Sequence, residues 1–273
     1  MITFPNAKIN LGLLITEKRS DGFHNLETVF FPVGWNDALE FAEADVFGFT
    51  SSGILISGDP EANLVVKAYR LLQNDFELPI LKIHLHKQIP FGAGLGGGSS
   101  DAAFMLKMLN ETYHLKISEE KLLNYAAVLG SDCPFFIGNK PVYATGRGEI
   151  MQPLEVRLNG MFILLVKPPV EVSTAKAYQL IEPQMPKVSL AKLLQLPIVN
   201  WKENVVNQFE LPVFRQYPEI EAVRNQLYEM GAIYASMSGS GSCVFGLFSK
   251  LPTSYKELFP APFLTFSQKI QIF

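Results

Sequence analysis

The chain has 273 residues, 48% of them hydrophobic, and a formal net charge of −3 at pH 7. That length allows one large or two ordinary domains, each with a substantial core. The slight acidic excess argues against a general nucleic-acid surface or a polybasic membrane surface. Cys133 and Cys243 lie far from any metal-ligand spacing, so we expect free thiols in a reducing compartment. With no signal-peptide pattern and no apolar run of about 18 residues, the sequence predicts a cytoplasmic protein.

Strand and helix patterns are mixed in the first half of the chain. The predicted strands are 7–16, 27–33, 38–41 and 81–85, and the segment 82–87 that leads into the glycine-rich loop is strand-like. The predicted helices are 63–74, 99–110 and 119–129. For the last of these helices, we expect Ser118 to be the N-cap and Gly130 to follow its end.

The second half continues the mixture. The predicted strands are an apolar segment after Asp132, the continuous apolar run 160–166, the pair 233–237 and 243–248, and 262–266. The predicted helices are 219–230 and 251–259. Glycine and proline residues between 146 and 153 favour a domain boundary near 155, which gives domains 1–155 and 156–273. Strands and helices interleave without steady βαβ alternation, which predicts an α+β fold.

The most informative segment runs from Pro90 to Ser100 and joins a predicted strand to a predicted helix. Glycine occupies positions 92, 94, 96, 97 and 98. Glycine permits unusual backbone angles, and successive N–H groups with the following helix terminus suit a polyphosphate. A simple turn, the alternative, needs only one or two glycines. A Walker A loop would need a lysine before the serine, and the dinucleotide-binding pattern fits poorly.

Three shorter segments also carry polar groups in informative positions. Lys8 and Asn10 share one face of a predicted strand, where they need partners or face solvent at an edge. Asp132 follows a helix end, where it either serves chemistry or organises the turn. Serines alternate with glycines from Ser238 to Ser242, which indicates a second anion-binding turn or a tight hairpin.

The histidines and Cys133 are less informative. Phe23 and His24 form an aromatic and imidazole pair in a polar turn, which suits a flat heterocycle or an ordinary loop. His84 and His86 alternate on one strand face as a possible metal pair, but a structural role is more common without a third ligand. Cys133 has apolar neighbours, which favour a structural thiol over a nucleophile.

Together these segments resemble the GHMP small-molecule kinase family. Its three motifs are a lysine-bearing N-terminal strand, a glycine-rich loop and a C-terminal Ser-Gly turn, which occur in that order at Lys8, 90–100 and 237–242. Further segments are similar to those members whose substrate carries a cytidine diphosphate group, and they lie at 7–11, 21–24, 96–103, 130–134 and 172–178. The resemblance covers nearly the whole chain.

The resemblance implies an α+β, two-domain GHMP kinase fold, with an N-terminal domain like domain 2 of ribosomal protein S5 and a ferredoxin-like C-terminal domain. It implies an active site in the cleft between domains, with ATP and Mg²⁺ as cofactors. The substrate would be a small molecule carrying a cytidine diphosphate group, phosphorylated in the non-mevalonate isoprenoid route. Nucleic acid and membrane partners are not expected, and the chain would be a monomer or homodimer.

The same resemblance implies roles for individual residues. Asp132 would be the base, and Lys8 would stabilise the charge on the attacking oxygen and the γ-phosphate. ATP phosphates would bind Pro90, Phe91, Gly92, Ala93, Gly94, Leu95, Gly96, Gly97, Gly98, Ser99 and Ser100. The substrate would contact Asn10, Phe23, His24, Thr174, Tyr178, Ser238, Gly239 and Ser240. Phe23 stands where members usually have tyrosine, so the stacking face remains and the hydroxyl is lost.

The metal ligands are not identified by the resemblance, although Ser99 or Ser100 could supply a hydroxyl. Two other functions remain open at this stage. One is another GHMP kinase activity, of the mevalonate or homoserine type, and the other is a non-catalytic nucleotide-binding pseudo-kinase. A pseudo-kinase would be expected to lack Lys8 or Asp132, and both are present.

Overall fold

A computed structural model of the chain describes residues 1–56 and 58–271. The strands are β1 (Ile2–Thr3), β2 (Asn6–Lys18), β3 (His24–Asn36), β4 (Ala38–Glu43), β5 (Gly48–Gly53), β6 (Leu81–Lys87), β7 (Val142–Thr145), β8 (Ile150–Pro153), β9 (Phe162–Lys167), β10 (Tyr234–Met237), β11 (Val244–Phe248) and β12 (Leu264–Lys269). The helices are α1 (Leu64–Asp75), α2 (Gly97–Thr112), α3 (Glu119–Leu129), α4 (Cys133–Gly138), α5 (Thr174–Gln179), α6 (Leu190–Leu193), α7 (Trp201–Asn204), α8 (Glu210–Gln216), α9 (Pro218–Glu229) and α10 (Tyr255–Leu258).

The strands form three sheets of four strands each, with the orders β1-β4-β6-β5, β2-β3-β7-β8 and β10-β11-β9-β12. The pairing of β5 with β6 is parallel, whereas the neighbouring pairs β4–β6 and β1–β4 are antiparallel. Helices and mainly antiparallel sheets in one chain confirm the predicted α+β class. Among the helices in the described part of the chain, none combines the length and the apolar character needed to span a membrane.

The residues divide into two compact units that interleave along the chain. Unit 1 comprises 1–8, 34–91 and 96–140, and unit 2 comprises 9–33, 92–95 and 141–273. The glycine-rich loop is therefore divided between the units. Residues 92–95, its first part, belong to unit 2, and residues 96–100, its second part, belong to unit 1. The predicted domains 1–155 and 156–273 follow sequence order instead, and that division stays a prediction.

Unit 1 is built from the sheet β1-β4-β6-β5 and the helices α1 to α4. Strand β6 buries Leu81, Ile83 and Leu85 and turns the intervening side chains outward, as the alternation in its sequence predicts. Helix α3 begins at a cap in which the Ser118 hydroxyl accepts a hydrogen bond from the Lys121 amide, so the predicted N-cap is confirmed. Gly130 ends α3, but in extended backbone with φ 170°.

Unit 2 has its core between the sheet β10-β11-β9-β12 and the helices α8 and α9. Strand β9 is the continuous apolar run of the sequence, and four of its residues, Ile163, Leu164, Leu165 and Val166, are fully buried. Val223 and Leu227 of α9 join Leu164 and Val166 in one hydrophobic cluster. The predicted strand pair around the Ser-Gly turn is confirmed, since β10 and β11 are antiparallel neighbours.

Three of the secondary-structure predictions are wrong. The apolar segment after Asp132 is the helix α4 and not a strand, because Pro134 lies in its first turn, where proline favours a helix start. Strand β5 was missed, since its residues 48–53 are mostly exposed and rich in glycine and serine. The predicted strand 27–33 is too short, because β3 runs from His24 and continues through Gly34 to Asn36.

A buried group of charges lies at the end of β6 in unit 1. The Lys87 ammonium forms an ion pair with Asp37 and donates a hydrogen bond to Asp101 Oδ2 at 2.9 Å. All three side chains are at most 2% exposed. Asp37 also accepts hydrogen bonds from the amides of Gln88 and Ile89. Burial raises the pKa of Asp101 to about 8, although the charge of Lys87 opposes this shift. This group ties the strand that precedes the glycine-rich loop to the helix that follows it.

Asp101 should make the stability of the protein depend on pH. The folded protein keeps a proton on Asp101 up to about pH 8, whereas an unfolded chain releases it near its ordinary value of 3.8. Because the unfolded state binds fewer protons in this interval, the free energy of unfolding should fall as pH rises. Asp101→Asn should remove this contribution, so its stability relative to wild type should increase with pH, by at most about 1.4 kcal/mol per pH unit.

Urea unfolding at pH 5, 6.5 and 8 measures this difference, with the exposed Asp45→Asn as a control. If wild type and Asp101→Asn show the same dependence of stability on pH, then Asp101 is ionised in the folded protein and the expectation is wrong.

Candidate active site

Lys8 and Asp132 form an ion pair in unit 1. The Lys8 Nζ lies 3.4 Å from Asp132 Oδ2, and the two side chains are 5% and 35% exposed, respectively. Lys8 projects from β2, and Asp132 is the residue immediately before α4. The ammonium is therefore held inside the protein, while the carboxylate remains accessible to a ligand. This arrangement suits a base whose negative charge is kept beside a fixed cation.

The second part of the glycine-rich loop lies over the Lys8 side chain. A β-carbon at Gly96 would lie 3.1 Å from Lys8 Cε and 3.1 Å from the Phe136 ring, and Gly96 has φ +69°. Gly96 immediately precedes α2, and no side chain caps the first amides of this 16-residue helix. Free amides at a helix N-terminus favour an anion, so this corner of unit 1 can receive a phosphate near Lys8.

Gly97 and Gly98 differ in what surrounds them. A β-carbon at Gly97 would lie 2.9 Å from both Ile89 Cγ2 and Lys87 Nζ, so the protein itself requires glycine there. A β-carbon at Gly98 would meet only Leu64 Cδ1, at an ordinary contact distance of 3.8 Å. The surrounding protein therefore leaves room for a side chain at Gly98.

The hydroxyl and thiol groups beside this loop are mostly enclosed. Ser100 is fully buried, and within the described residues its hydroxyl has no hydrogen-bond partner. Burial raises the pKa of the Cys133 thiol to about 11, although a hydrogen bond with Ser99 opposes this. A buried thiol with a raised pKa is a poor nucleophile, which agrees with the expected structural role of Cys133.

The first part of the glycine-rich loop is braced by the Ser-Gly turn within unit 2. The Ser238 hydroxyl donates to the Gly94 carbonyl oxygen at 2.8 Å and accepts from the main-chain N–H of Asn10 at 3.2 Å. The amides of Ser242 and Cys243 donate to the carbonyl oxygens of residues 92 and 93, respectively. A β-carbon at Gly94 would lie 1.9 Å from the Ser238 carbonyl oxygen, so the two backbones are in direct contact.

Several predicted ligand contacts in this region are occupied by protein partners. Ser238 is 0% exposed and its hydroxyl bonds to main-chain groups on both sides. Ser240 Oγ lies 2.9 Å from Thr174 Oγ1, and Asn10 Nδ2 donates to Thr28 Oγ1 at 2.8 Å. These contacts favour a bracing role for Ser238, while its predicted substrate contact stays a prediction.

The aromatic residues predicted to bind a heterocycle lie in unit 2. The rings of His24 and Tyr178 are 5.2 Å apart, and Tyr178 also packs edge-on against Phe209 at 4.9 Å. Phe23 is 55% exposed, with the Arg147 guanidinium 5.0 Å from the centre of its ring. Burial lowers the pKa of His24, and the charge of Lys18 adds to this shift. His24 is therefore neutral near pH 7, so it can donate one hydrogen bond and accept another.

The structure thus distributes the predicted site residues over both units. Unit 1 contains Lys8, Pro90, Phe91, Gly96, Gly97, Gly98, Ser99, Ser100 and Asp132, and unit 2 contains Asn10, Phe23, His24, Gly92, Ala93, Gly94, Leu95, Thr174, Tyr178, Ser238, Gly239 and Ser240. The side chains of Ala93 and Leu95 are at most 2% exposed, so only their main chain is available to a ligand.

His84 and His86 are not among the predicted site residues of either unit. Their ring nitrogens lie 2.8–2.9 Å from the hydroxyl groups of Thr50 and Ser52. Among residues 1–56 and 58–271, no three or more His, Cys, Asp or Glu side chains are grouped closely enough to hold a metal ion. The hydroxyl contacts agree with the structural role that the sequence favoured for this pair.

Sequence analysis missed Asn207, Glu210 and Arg147. Asn207 and Glu210 contact the Ser-Gly turn, and Arg147 covers one face of Phe23. Arg147 lies between Gly146 and Gly148, which indicated only a domain boundary, whereas Asn207 and Glu210 lie in no glycine-rich segment. The polar residues Asn207, Gln208 and Glu210 around the apolar Phe209 are the only signal in the sequence at these positions.

Comparison with protein families gives matches in both halves of the chain. The model for the GHMP kinases N terminal domain matches residues 63–139, and the model for GHMP kinases C terminal matches residues 189–256. The first match contains the glycine-rich loop and Asp132, and the second contains the Ser-Gly turn.

Curated relatives match over almost their whole length. A 4-diphosphocytidyl-2-C-methyl-D-erythritol kinase of Bacteroides fragilis (strain YCH46) is 56% identical over 96% of this chain and 97% of its own. A kinase of the same name from Bacteroides thetaiotaomicron is 57% identical over 91% of this chain and 92% of its own.

Solved structures of kinases also match this chain. A crystal structure of 4-(cytidine 5'-diphospho)-2C-methyl-D-erythritol kinase matches with a TM-score of 0.84 and 31% identity, covering 98% of both chains. A mevalonate kinase of Methanococcus jannaschii has the same fold, with a TM-score of 0.73, 13% identity, and coverage of 99% of this chain and 98% of the other. The chain therefore belongs to the GHMP kinase family, whose two-domain α+β fold it has.

Proposed function

We propose that this chain transfers the γ-phosphoryl group of ATP to the 2-hydroxyl of 4-diphosphocytidyl-2-C-methyl-D-erythritol, in the non-mevalonate route to isoprenoid precursors. Family membership makes the chain an ATP-dependent small-molecule kinase, and the names of its near relatives support this substrate. In the reaction, the substrate oxygen bonds to the γ-phosphorus, the bond from that phosphorus to the bridging oxygen breaks, and ADP leaves. The hydroxyl proton passes to a base.

The observation that best supports this reaction is the Lys8–Asp132 pair beneath the second part of the glycine-rich loop. Asp132 would accept the hydroxyl proton, since its carboxylate is the more exposed partner. Lys8 would hold that carboxylate in place and would stabilise negative charge on the attacking oxygen and the γ-phosphate. Because the Lys8 side chain is only 5% exposed and lies beside Gly96, the ammonium would need little reorganisation during the reaction.

ATP would bind with its phosphates along residues 90–100. The uncapped amides at the start of α2 favour this position, as do the glycines that permit close approach. Mg²⁺ would be held mainly by phosphate oxygens and water, with Ser99 or Ser100 as a candidate hydroxyl ligand. The orphaned hydroxyl of Ser100 fits one such contact. Bound to the phosphates, Mg²⁺ would neutralise charge that develops on the oxygens.

Recognition of the cytidine part would depend on unit 2. Tyr178 and Phe23 would stack on the base, and the neutral His24 would bind its polar edge. The exposed ring of Phe23 supports this role, since an exposed phenylalanine gains from contact with a flat ligand. Asn10, Thr174, Gly239 and Ser240 would contact the substrate near the reacting hydroxyl or its diphosphate.

A GHMP kinase for mevalonate or homoserine is the nearest alternative, and a pseudo-kinase is the other. The aromatic and imidazole groups favour a substrate with a ring, and the intact Lys8–Asp132 pair favours catalysis. Thermal stabilisation by cytidine diphosphate compounds, mevalonate or homoserine, each with a non-hydrolysable ATP analogue, separates the candidate substrates. Phosphoryl transfer from ATP separates a kinase from a pseudo-kinase. The free, buried Cys133 and Cys243 support a location in the reducing cytoplasm. The enzyme would act there as a monomer or a homodimer.

Asp132→Asn should lower kcat by at least about 100-fold, the usual scale for general base catalysis. The dissociation constant for ATP should change little, because the carboxylate acts on the acceptor hydroxyl. Lys8→Met should also lower kcat, and the double variant should lose far less than the product of the two single losses, since both residues serve one step. Steady-state kinetics and ATP titration measure these effects, and near wild-type turnover by Asp132→Asn would exclude the base assignment.

Gly98→Ala should weaken ATP binding while it preserves or raises the melting temperature. The surrounding protein accepts a β-carbon there, and alanine stabilises a helix by about 1 kcal/mol relative to glycine. A loss of affinity would therefore come from the ligand side of the loop. Gly138→Ala is the matched control, since nothing lies within 4 Å of a β-carbon at that glycine in the same unit. Unchanged ATP affinity in Gly98→Ala would argue against close phosphate approach at this position.

Tyr178→Ala and Phe23→Ala should each raise KM for the cytidine substrate by roughly 5- to 150-fold, because stacking on a base contributes about 1–3 kcal/mol. KM for ATP should change far less. Tyr178→Phe keeps the ring and its packing on Phe209, so it should stay close to wild type. Equal effects of Tyr178→Ala on both substrates, or no effect on either, would mean that the cytidine pocket lies elsewhere.

A further inference from the structure

We propose that Asn207 and Glu210 are positioning residues that fix the Ser-Gly turn and, through it, the first part of the glycine-rich loop. The inference rests on the proposed binding of ATP phosphates to that loop. It assigns to two residues outside the three family motifs the task of setting the loop in the geometry that binds nucleotide.

Asn207 holds the main chain at both ends of Ser238. Its Nδ2 donates to the carbonyl oxygens of Met237 at 2.7 Å and Gly239 at 2.8 Å, and its Oδ1 accepts from the Phe209 amide at 3.0 Å. The side chain is 3% exposed, so water cannot replace these bonds. Both amide hydrogens are used on the turn, and only an amide offers two donors and an acceptor in this arrangement.

Glu210, the first residue of α8, holds the strand β10 where it leads into the same turn. Its Oε1 accepts from the Met237 amide and from the Ser236 hydroxyl, each at 2.8 Å, while its Oε2 bonds to Arg224 at 3.0 Å. Met237 therefore donates to Glu210 through its N–H and accepts from Asn207 through its carbonyl oxygen. Both main-chain polar groups of Met237 are therefore bonded to side chains, which restrains the end of β10.

Asn207 is itself anchored by the strand β2. The amide of Leu13 donates to the Val206 carbonyl oxygen, and the Gln208 amide donates to the Leu13 carbonyl oxygen. These two bonds fix the backbone on either side of Asn207. Its carboxamide thus projects from a rigid base, which is what a positioning residue requires.

The Ser-Gly turn is in direct backbone contact with the first part of the glycine-rich loop. The Ser238 hydroxyl bonds to the Gly94 carbonyl oxygen, and the Ser242 amide bonds to the Gly92 carbonyl oxygen. Because the Gly94 backbone has no room for even a β-carbon against Ser238, a displacement of the turn must displace the loop or break these bonds. Loss of Asn207 or Glu210 should consequently alter the phosphate-binding loop, although neither residue reaches it.

The test compares Asn207→Ala, Glu210→Ala and Glu210→Gln with Tyr228→Phe. Tyr228→Phe is the matched control because it removes a hydrogen bond to the Ala235 carbonyl oxygen in the same strand, β10, without touching the turn. The measurements are the dissociation constant of a non-hydrolysable ATP analogue, KM and kcat for ATP, the melting temperature, and hydrogen exchange of a peptide that spans residues 88–100.

Asn207→Ala and Glu210→Ala should raise the dissociation constant of the ATP analogue by about 10- to 100-fold, the scale expected when a binding group is misplaced from a distance. Hydrogen exchange in 88–100 should become faster in both. Glu210→Gln should keep more of the affinity than Glu210→Ala, since its amide oxygen can still accept from Met237 and Ser236, whereas its amide nitrogen cannot accept from Arg224. Tyr228→Phe should lower the melting temperature without changing either the affinity or the exchange of that peptide.

Unchanged affinity and unchanged exchange in Asn207→Ala, with wild type binding normally, would overturn this inference alone. The same would follow if Tyr228→Phe weakened ATP binding as much as Asn207→Ala at an equal loss of melting temperature, because a general loss of stability would then explain both. If wild type itself failed to bind the ATP analogue at the loop, the proposed function would be overturned together with this inference.

Discussion

The contact between Gly94 and Ser238 is the constraint on which unit 2 depends most. No side chain fits at position 94, since a β-carbon would lie 1.9 Å from the Ser238 carbonyl oxygen, and Gly94 also has φ +72°. Two distant segments of the chain can therefore pack backbone against backbone, with the Ser238 hydroxyl completing the contact. Packing within the protein therefore requires glycine at position 94, whether or not a ligand is bound. The Ser-Gly turn supports the first part of the loop through this contact.

Buried charges impose a comparable order on unit 1. Lys87 is enclosed with Asp37 and Asp101 at the base of the loop, and Lys8 is enclosed beneath Gly96 beside Asp132. Removing such charges from water is costly unless they are paired, so each pair keeps its partners in fixed positions. The two lysines differ in one respect that bears on function. Both partners of Lys87 are buried, whereas the partner of Lys8 is exposed enough to meet a substrate.

Much of the fold and of the candidate site could be predicted from the sequence, because its strongest signals are local. The alternation in β6, the apolar run of β9, the Ser118 cap and the glycine-rich loop each depend on residues close together in the chain. The segment after Asp132 was misjudged for the same reason. A short apolar run has no clear period, and only the observed helix α4 shows that Pro134 begins a turn there.

The sequence by itself determined which chemical groups the chain possesses: a lysine, an aspartate, a loop able to approach phosphate, and aromatic side chains for a ring. Tertiary structure alone decided which of these groups are bonded to other parts of the protein and which remain accessible. Ser238 and Gly94 were indistinguishable from ligand contacts until burial and hydrogen bonds showed them bound to each other. Asn207 drew no attention in the sequence, because contacts between residues about 30 positions apart leave no local pattern.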